Sequence, residues 1–194
     1  MQPRRRMLLG FVLANSAIAA VAATLFLNRP LPPPQIQGVL LPESRELARF
    51  VLTDHRGDAF SNSDLEGRWH LVSYGFTSCP DVCPATLAEL AGFRRELAPE
   101  LRRDLQVLFY SVDHRRDTPA KLASYVSFFD PSFTGVTATD GDEMGATAFA
   151  SSLGILSTLE PAEGTTLEDG DYEVAHGVTL LLLNPEGELQ AVFE

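Results

Sequence analysis

Thr77-Ser78-Cys79-Pro80-Asp81-Val82-Cys83-Pro84 is the stretch that decides the fold, and it contains both cysteines of the 194-residue chain. It follows an apolar run over residues 69–76, which predicts a buried strand, and it precedes apolar residues at helical spacing over residues 84–97. The cysteines therefore lie where a strand ends and a helix begins. Backbone N–H groups and the positive end of the helix dipole favour thiolate over thiol at such a position. Open α/β sheets also place their ligand sites at the carboxyl ends of strands.

The spacing of Cys79 and Cys83 is compatible with more than one chemistry. Positions i and i+4 of a helix share a face with Cβ atoms about 5–6 Å apart, whereas a disulfide needs Cβ atoms about 3.8 Å apart. Two thiolates that each lie about 2.3 Å from a shared metal ion tolerate the wider separation. The pair therefore favours a shared metal. A redox-active dithiol and a structural disulfide are the alternatives, although a disulfide that closes such a short loop adds little stability.

The N-terminal segment is predicted to carry the body of the protein out of the cytoplasm. Arg4, Arg5 and Arg6 precede residues 7–27, a run of 21 residues without charge. At about 1.5 Å per residue this run spans a hydrocarbon core of about 30 Å. We expect residues 1–28 to be a membrane anchor or signal segment whose residues 7–27 form a transmembrane helix in the inner membrane, with a cytoplasmic N-terminus and the domain in the periplasm. A cleaved signal peptide and a twin-arginine export signal are the alternatives.

Residues 29–45 and 46–194 are predicted to be a linker and a single domain. Four prolines between positions 30 and 34 favour an extended linker, and the remaining length suits one domain with its own core. All 26 acidic residues lie at Glu43 or later, whereas four of the 15 basic residues precede it. The strongly acidic character of the chain after the linker argues against a nucleic-acid partner.

The order of the other elements predicts an α/β fold with a central mixed sheet flanked by helices. The predicted elements are a hairpin around residues 54–57, strands over 69–76 and 105–112, helices over 84–97 and from Thr118-Pro119, a short strand over 134–139, a helix that ends at Gly154, and a hairpin around residues 184–187. This is the thioredoxin-like plan. The cysteines lie at the position that this plan uses for thiol chemistry.

Four histidines are candidates for a third metal ligand. His176 is the strongest, because it lies between a polar loop and an apolar strand, from where its ring can reach a neighbouring strand–helix junction. His114 follows the second buried strand at the same sheet edge as Cys79, and it is either an additional nitrogen near the site or a solvated loop residue. His55 is interpreted as a turn residue and His70 as a strand-edge residue.

Two thiolates and one imidazole restrict the choice of metal. Cysteine sulfur favours copper(I), zinc or iron–sulfur clusters. A cluster normally needs four cysteines, and structural zinc normally needs a fourth protein ligand. Copper accepts low coordination, and an added imidazole supports both Cu(I) and Cu(II). Copper is therefore the first expectation and zinc the second.

Four segments of the chain match the motifs of one known family. They are Leu52-Thr53-Asp54-His55-Arg56-Gly57, residues 74–84 with the two cysteines, Ser111-Val112-Asp113 with Arg116-Asp117-Thr118-Pro119, and Asp171-Tyr172-Glu173-Val174 leading to His176. In these segments the chain resembles the Sco/SenC family, the thioredoxin-like copper chaperones of cytochrome c oxidase assembly. The resemblance implies that Cys79, Cys83 and His176 bind copper. It also implies that the protein delivers copper to the dinuclear copper site of an oxidase subunit, or reduces the cysteines of that site.

The chain departs from the family pattern next to two of these motifs. Ala175 stands where the family commonly has an aspartate before the histidine, which implies that His176 has weaker support or is supported from elsewhere. His114 stands where the family usually has proline. The alternative function is a thiol–disulfide oxidoreductase in which Cys79 attacks and Cys83 resolves, and this function assigns His176 no necessary role.

Overall fold

The computed structural model describes residues 3–28, 36–139 and 141–194, which fall into two compact units divided after residue 35. The first unit contains helix α1 (Pro3–Leu27). No helix within the described ranges is both long enough and apolar enough to cross a membrane. The predicted transmembrane helix over residues 7–27 is therefore not supported, although the segment is helical.

The second unit contains a central sheet, a separate hairpin and helices. Its strands are β1 (Gly38–Arg45), β2 (Val51–Asp54), β3 (Ala59–Ser61), β4 (Trp69–Gly75), β5 (Leu105–Ser111), β6 (Thr134–Thr137), β7 (Ser157–Pro161), β8 (Tyr172–His176), β9 (Leu180–Leu183) and β10 (Leu189–Phe193). Its helices are α2 (Val82–Glu96), α3 (Pro99–Asp104), α4 (Pro119–Phe129) and α5 (Glu143–Leu153).

The eight-stranded sheet is mixed, as predicted. Its strand order is β1-β10-β9-β4-β5-β6-β2-β3, and β7 pairs only with β8 in a separate two-stranded sheet. Strand β5 runs parallel to both β4 and β6. The β4–α2–β5 and β5–α4–β6 connections therefore bring the carboxyl ends of the central strands to one sheet edge, where open α/β sheets place their ligand sites.

Strand β5 shows why the central strands of the sheet have almost uninterrupted apolar sequences. Its residues alternate between two cores: Leu108 and Tyr110 pack with α5, on the side of Phe149, whereas Val107 and Phe109 pack with α2 and α4. Because both faces are covered, the centres of such strands are almost entirely apolar. The apolar runs over residues 69–76 and 105–112 therefore correctly predict buried strands.

Two helix boundaries follow the predicted chemistry. The Thr118 side chain accepts a hydrogen bond from the Lys121 N–H group, with Pro119 in the first turn of α4. Helix α5 ends at Gly154, which adopts a left-handed conformation with φ of 71°. Glycine adopts this conformation without the steric cost that a Cβ atom adds.

Two segments differ from the predicted organisation. Strand β1 falls inside the predicted linker, and it is held by long-range pairing of Gly38 with Phe193 that no local pattern reveals. The first part of that linker, residues 29–35, lies outside the described residues. The predicted polar loop over 160–173 lies largely within the β7–β8 hairpin, in which Pro161 pairs with Tyr172. Most residues of this hairpin are exposed, and the alternating burial of β8 covers only five residues, which is too short a pattern to mark a strand.

His70 is a buried histidine in the interior of β4 rather than at a strand edge. It is 2% exposed, and its Nδ1 atom has no hydrogen-bond partner among the described residues. Burial lowers the pKa of His70 to about 4, and the nearby charge of Arg68 adds to the fall. A hydrogen bond from the imidazole to the backbone carbonyl of Arg68 acts in the opposite direction but is outweighed. The folded protein therefore holds this imidazole neutral at neutral pH.

We predict that His70 weakens the fold as the pH falls. Its folded pKa lies below its unfolded value, so the unfolded chain binds the proton first and stability is lost between about pH 6.5 and pH 4. The loss amounts to about 3 kcal/mol. Urea unfolding at pH 7.5 and pH 4 is expected to show that His70→Gln loses less stability than the wild type by this amount. An identical loss in both proteins would contradict the prediction.

Candidate metal centre

The two cysteines lie at the carboxyl end of β4, as predicted. Cys79 is partly exposed in the turn after the strand, and Cys83 is buried in the first turn of α2. Both are free thiols. The turn is held by Asp117, a side chain only 1% exposed, whose carboxylate accepts hydrogen bonds from the N–H and hydroxyl groups of Thr77 and from the Ser111 hydroxyl. Buried charges need such partners.

His176 approaches the cysteines from the end of β8. Its Nε2 atom lies 3.5 Å from the Cys83 Sγ atom, and the ligand atoms of Cys79, Cys83 and His176 all lie within 4.8 Å of one another. Its Nδ1 atom lies 2.6 Å from the carbonyl oxygen of Gly177. A carbonyl only accepts, so the Nδ1–H group is the donor and the lone pair of Nε2 faces the sulfurs. Within the described residues, these three form the only such cluster of potential metal ligands.

The two thiols have opposite electrostatic environments. Burial acts to raise the pKa of Cys79, but hydrogen bonds from the backbone N–H groups of Asp81, Cys83 and Val82 and from the Cys83 thiol outweigh it, so the pKa lies below the ordinary value. Burial raises the pKa of Cys83 to about 12, and the hydrogen bond to Cys79 adds to the rise. Cys79 is therefore the sulfur of the pair that loses its proton more readily, and Cys83 the one that keeps it.

Gly75 leaves the space in which the three ligands meet. A Cβ atom at this position would overlap the Cys83 sulfur and would lie 3.3 Å from the His176 Cε1 atom. The imidazole is enclosed by the edges of two aromatic rings, with centroids 6.0 Å away at Tyr74 and 5.8 Å away at Phe76. Two sulfurs and one imidazole nitrogen converge on a cradle that lacks a side chain, and this donor set fits a soft metal ion such as copper.

The other three histidines lie away from the Cys79–Cys83–His176 cluster and contact structural elements of the fold. His114 is partly buried beside the core, where its Nδ1 atom accepts a hydrogen bond from the N–H group of Ala138 and its Nε2 atom lies 3.1 Å from the Tyr110 hydroxyl. It is therefore neither a solvated loop residue nor a ligand of the cluster. His55 lies in the β2–β3 turn and accepts a hydrogen bond from the Gly135 N–H group. His70 lies in the interior of β4, near the amino end of that strand.

The roles of Gly75 and Asp117 were not predicted from the sequence. Gly75 ends an apolar strand, and Asp117 belongs to the matched segment Arg116-Asp117-Thr118-Pro119. The available signals were a glycine directly before the cysteine turn and an aspartate in the loop that follows the neighbouring parallel strand. Neither signal identifies a hydrogen-bond partner 40 residues away in the chain, as Thr77 is from Asp117.

Fold and site together define a thioredoxin-like α/β protein with a Cys-Cys-His cluster. The SCO1/SenC family model matches residues 40–194, so the chain belongs to this family. A Stutzerimonas stutzeri protein to which copper binding is ascribed is 34% identical over 174 residues, covering 90% of this chain and 81% of the relative. The human mitochondrial SCO1 homologue is 36% identical over 145 residues, which are 74% of this chain and 46% of that protein. The chain thus spans about half the length of this mitochondrial relative.

Solved structures confirm the fold. The apo Sco1 protein of Thermus thermophilus has a TM-score of 0.71 at 29% identity, with coverage of 84% of this chain and 90% of that structure. The copper-bound ScoI of Arabidopsis thaliana has a TM-score of 0.65 at 28% identity, with coverage of 76% and 86%. BsSco, described as a member of the Sco family of cytochrome c oxidase assembly proteins, has a TM-score of 0.56 at 21% identity, with coverage of 79% of this chain and 85% of that structure. At this identity the similarity shows the fold alone.

We predict that Gly75→Ala closes the ligand cradle. The added methyl group must displace Cys83 or His176, so the Cu(II) affinity is expected to fall at least about tenfold, as when the support of a metal ligand is removed, with about 1–3 kcal/mol of overpacking strain. The measurements are Cu(II) titration and urea unfolding.

Gly92→Ala is the matched control for this substitution. Its Cβ atom meets only the tip of Arg95, 3.8 Å away, on the same helix that carries Cys83. It is expected to stabilise α2 by up to about 1 kcal/mol and to leave Cu(II) binding unchanged. Equal Cu(II) affinities for the two variants would show that the space beside Gly75 is not the site.

Proposed function

We propose that the protein binds copper through Cys79, Cys83 and His176 and acts in the assembly of cytochrome c oxidase. The convergence of the three ligand atoms within 4.8 Å at the sheet edge carries this proposal. Two sulfur ligands suit Cu(I), and the imidazole nitrogen adds the borderline donor that Cu(II) requires. The matched family model and the copper-bound Arabidopsis relative support the same choice of metal.

The exposure of the ligands supports a role in transfer. Cys79 and His176 are both partly exposed, whereas Cys83 is buried. A copper ion held here is reached from solvent through Cys79 and His176, so an incoming thiolate of a partner displaces these ligands before Cys83. The proposed recipient is the oxidase subunit that carries the dinuclear copper site, which needs soft and nitrogen ligands of the same kinds.

Export of the domain is part of the proposal. Arg4, Arg5 and Arg6 followed by the uncharged helical segment up to Leu27 are as typical of an export signal as of an anchor. The domain is strongly acidic, as a soluble exported domain can be, and it keeps both thiols beside an imidazole. The proposed place of action is the periplasm, where the domain would bind copper that arrives from outside the cytoplasm. The proposed copper-binding domain comprises residues 46–194 together with β1, which pairs with β10.

We predict that His176→Ala weakens Cu(II) binding by about 10–100-fold and Cu(I) binding far less, because Cu(I) is satisfied by the two sulfurs. The measurements are Cu(II) titration, the sulfur-to-Cu(II) charge-transfer absorption, and competition against a Cu(I) chelator. His55→Ala is the control, since that histidine lies in the β2–β3 turn. Cys79→Ser combined with Cys83→Ser is expected to abolish binding of both ions. Unchanged copper content in that double variant would overturn the proposal.

A thiol–disulfide oxidoreductase is the second candidate, and the contrast between the two sulfurs favours it. The Cys79 thiolate would attack a partner disulfide, form a mixed disulfide and release one partner thiolate. Cys83, once deprotonated, would then attack the Cys79 sulfur and release the second partner thiol, which leaves a Cys79–Cys83 disulfide. The lowered pKa of Cys79 and the raised pKa of Cys83 match these two roles.

We predict that Cys83→Ser traps a mixed disulfide and that Cys79→Ser does not. The attacking Cys79 remains in the first variant, whereas the second retains only a buried thiol of raised pKa. Incubation with a small peptide disulfide followed by intact-protein mass spectrometry detects the adduct. Equal adduct formation in the two variants would remove the assignment of Cys79 as the nucleophile.

A further inference from the structure

The hairpin that carries His176 is attached to the domain without a backbone ladder. Strands β7 and β8 pair with each other and with no strand of the eight-stranded sheet described above. An isolated two-stranded hairpin is marginally stable in water. Tyr172 is the one residue of either strand that is buried. The position of the hairpin therefore depends on a few side-chain contacts.

The polar contacts converge on the loop that follows β5, and Val174 packs against the apolar core. Arg116 packs its guanidinium carbon 3.9 Å from the centroid of the Tyr172 ring and donates to the Tyr172 carbonyl oxygen at 3.1 Å. A longer contact of 3.5 Å joins it to the Gly170 carbonyl oxygen. The carboxylate of Asp113 accepts from both the Arg116 guanidinium and the Tyr172 hydroxyl. Arg116, Asp113 and Tyr172 thus form a closed triad.

The triad is protected from solvent. Asp113 is fully buried, Tyr172 is 5% exposed, and the Arg116 side chain is 26% exposed. Electrostatic and hydrogen-bonding interactions are stronger in such surroundings than on the surface. A planar guanidinium that pairs with a carboxylate while it stacks on a ring is also geometrically specific, and lysine does not reproduce this arrangement.

Strand β8 connects this triad to the metal ligand. Tyr172 and His176 are its first and last residues, about 13 Å apart at about 3.3 Å per residue. Beyond His176, the Thr179 hydroxyl lies 2.9 Å from the Tyr74 hydroxyl. The imidazole is therefore held between one anchor at the start of its strand and another three residues after it.

We propose that Arg116 is a positioning residue that docks the β7–β8 hairpin and thereby sets the affinity of the site for Cu(II). The inference rests on the proposed function. The two thiolates alone satisfy Cu(I), whereas Cu(II) needs the nitrogen of His176, so a displaced hairpin weakens the binding of the oxidised ion selectively. Because residue 175, next to the histidine, is an alanine and cannot hydrogen-bond through its side chain, the imidazole is supported through the triad instead.

The test compares Arg116→Ala with Arg115→Ala. Arg115 is exposed in the same loop, so its removal deletes the same charge without touching the triad. In the copper-free protein, Arg116→Ala is expected to lower the hydrogen-exchange protection of the β7–β8 amides at least about tenfold, with the β4 and β5 amides unchanged. The Cu(II) affinity is expected to fall about 10–100-fold and the Cu(I) affinity less than about threefold.

The outcomes separate the inference from the proposed function. If Arg116→Ala matches Arg115→Ala in hairpin exchange and in Cu(II) affinity, the inference is overturned. If Arg116→Ala loses protection throughout the sheet, Arg116→Lys decides, because it keeps the charge but not the stacked and paired geometry. Selective loss of protection in the hairpin supports the inference, and wild-type protection overturns it. A wild-type protein that binds no copper overturns the proposed function, while the exchange comparison still decides the docking role.

Discussion

Two buried carboxylates in one loop hold both halves of the candidate metal site in place. Asp117 holds the cysteine turn through Thr77, and Asp113 holds the histidine hairpin through Tyr172 and Arg116. Burying a carboxylate is costly unless it is paired and hydrogen-bonded. Each aspartate is satisfied only when its segment is in place, so the loop between β5 and α4 links the two segments to the same sheet edge.

The same edge also makes the two sulfurs different. Cys79 lies before the start of α2, where backbone N–H groups point at its sulfur, whereas Cys83 lies one helical turn further on, against β4 and His176. One sulfur therefore favours the anion at the surface, and the other remains a thiol inside the protein. Metal transfer and thiol–disulfide exchange both require an accessible sulfur in front of a protected one, so a single arrangement serves the two candidate functions.

Local patterns in the chain were sufficient for most of the fold. The apolar runs of β4 and β5 predicted buried strands because both faces of these strands are covered, and the Thr118 cap and Gly154 marked helix boundaries because their chemistry is local. Strand β1 was placed in a linker because its pairing with β10 joins residues about 150 positions apart. The β7–β8 hairpin is not predicted because most of its residues are exposed and the alternation of β8 covers only five residues.

The sequence by itself determined the ligand types, their strand–helix setting and the family, since these depend on residue identity and on short-range order. Cys79, Cys83 and His176 were all named from it. Only the tertiary structure decided that His114 is a partly buried residue with three hydrogen-bond partners, that Gly75 leaves the space between the candidate ligands, and that Arg116 reaches the hairpin of His176. These are contacts between segments distant in the chain, and chain order does not specify which groups meet until the sheet and its loops are assembled.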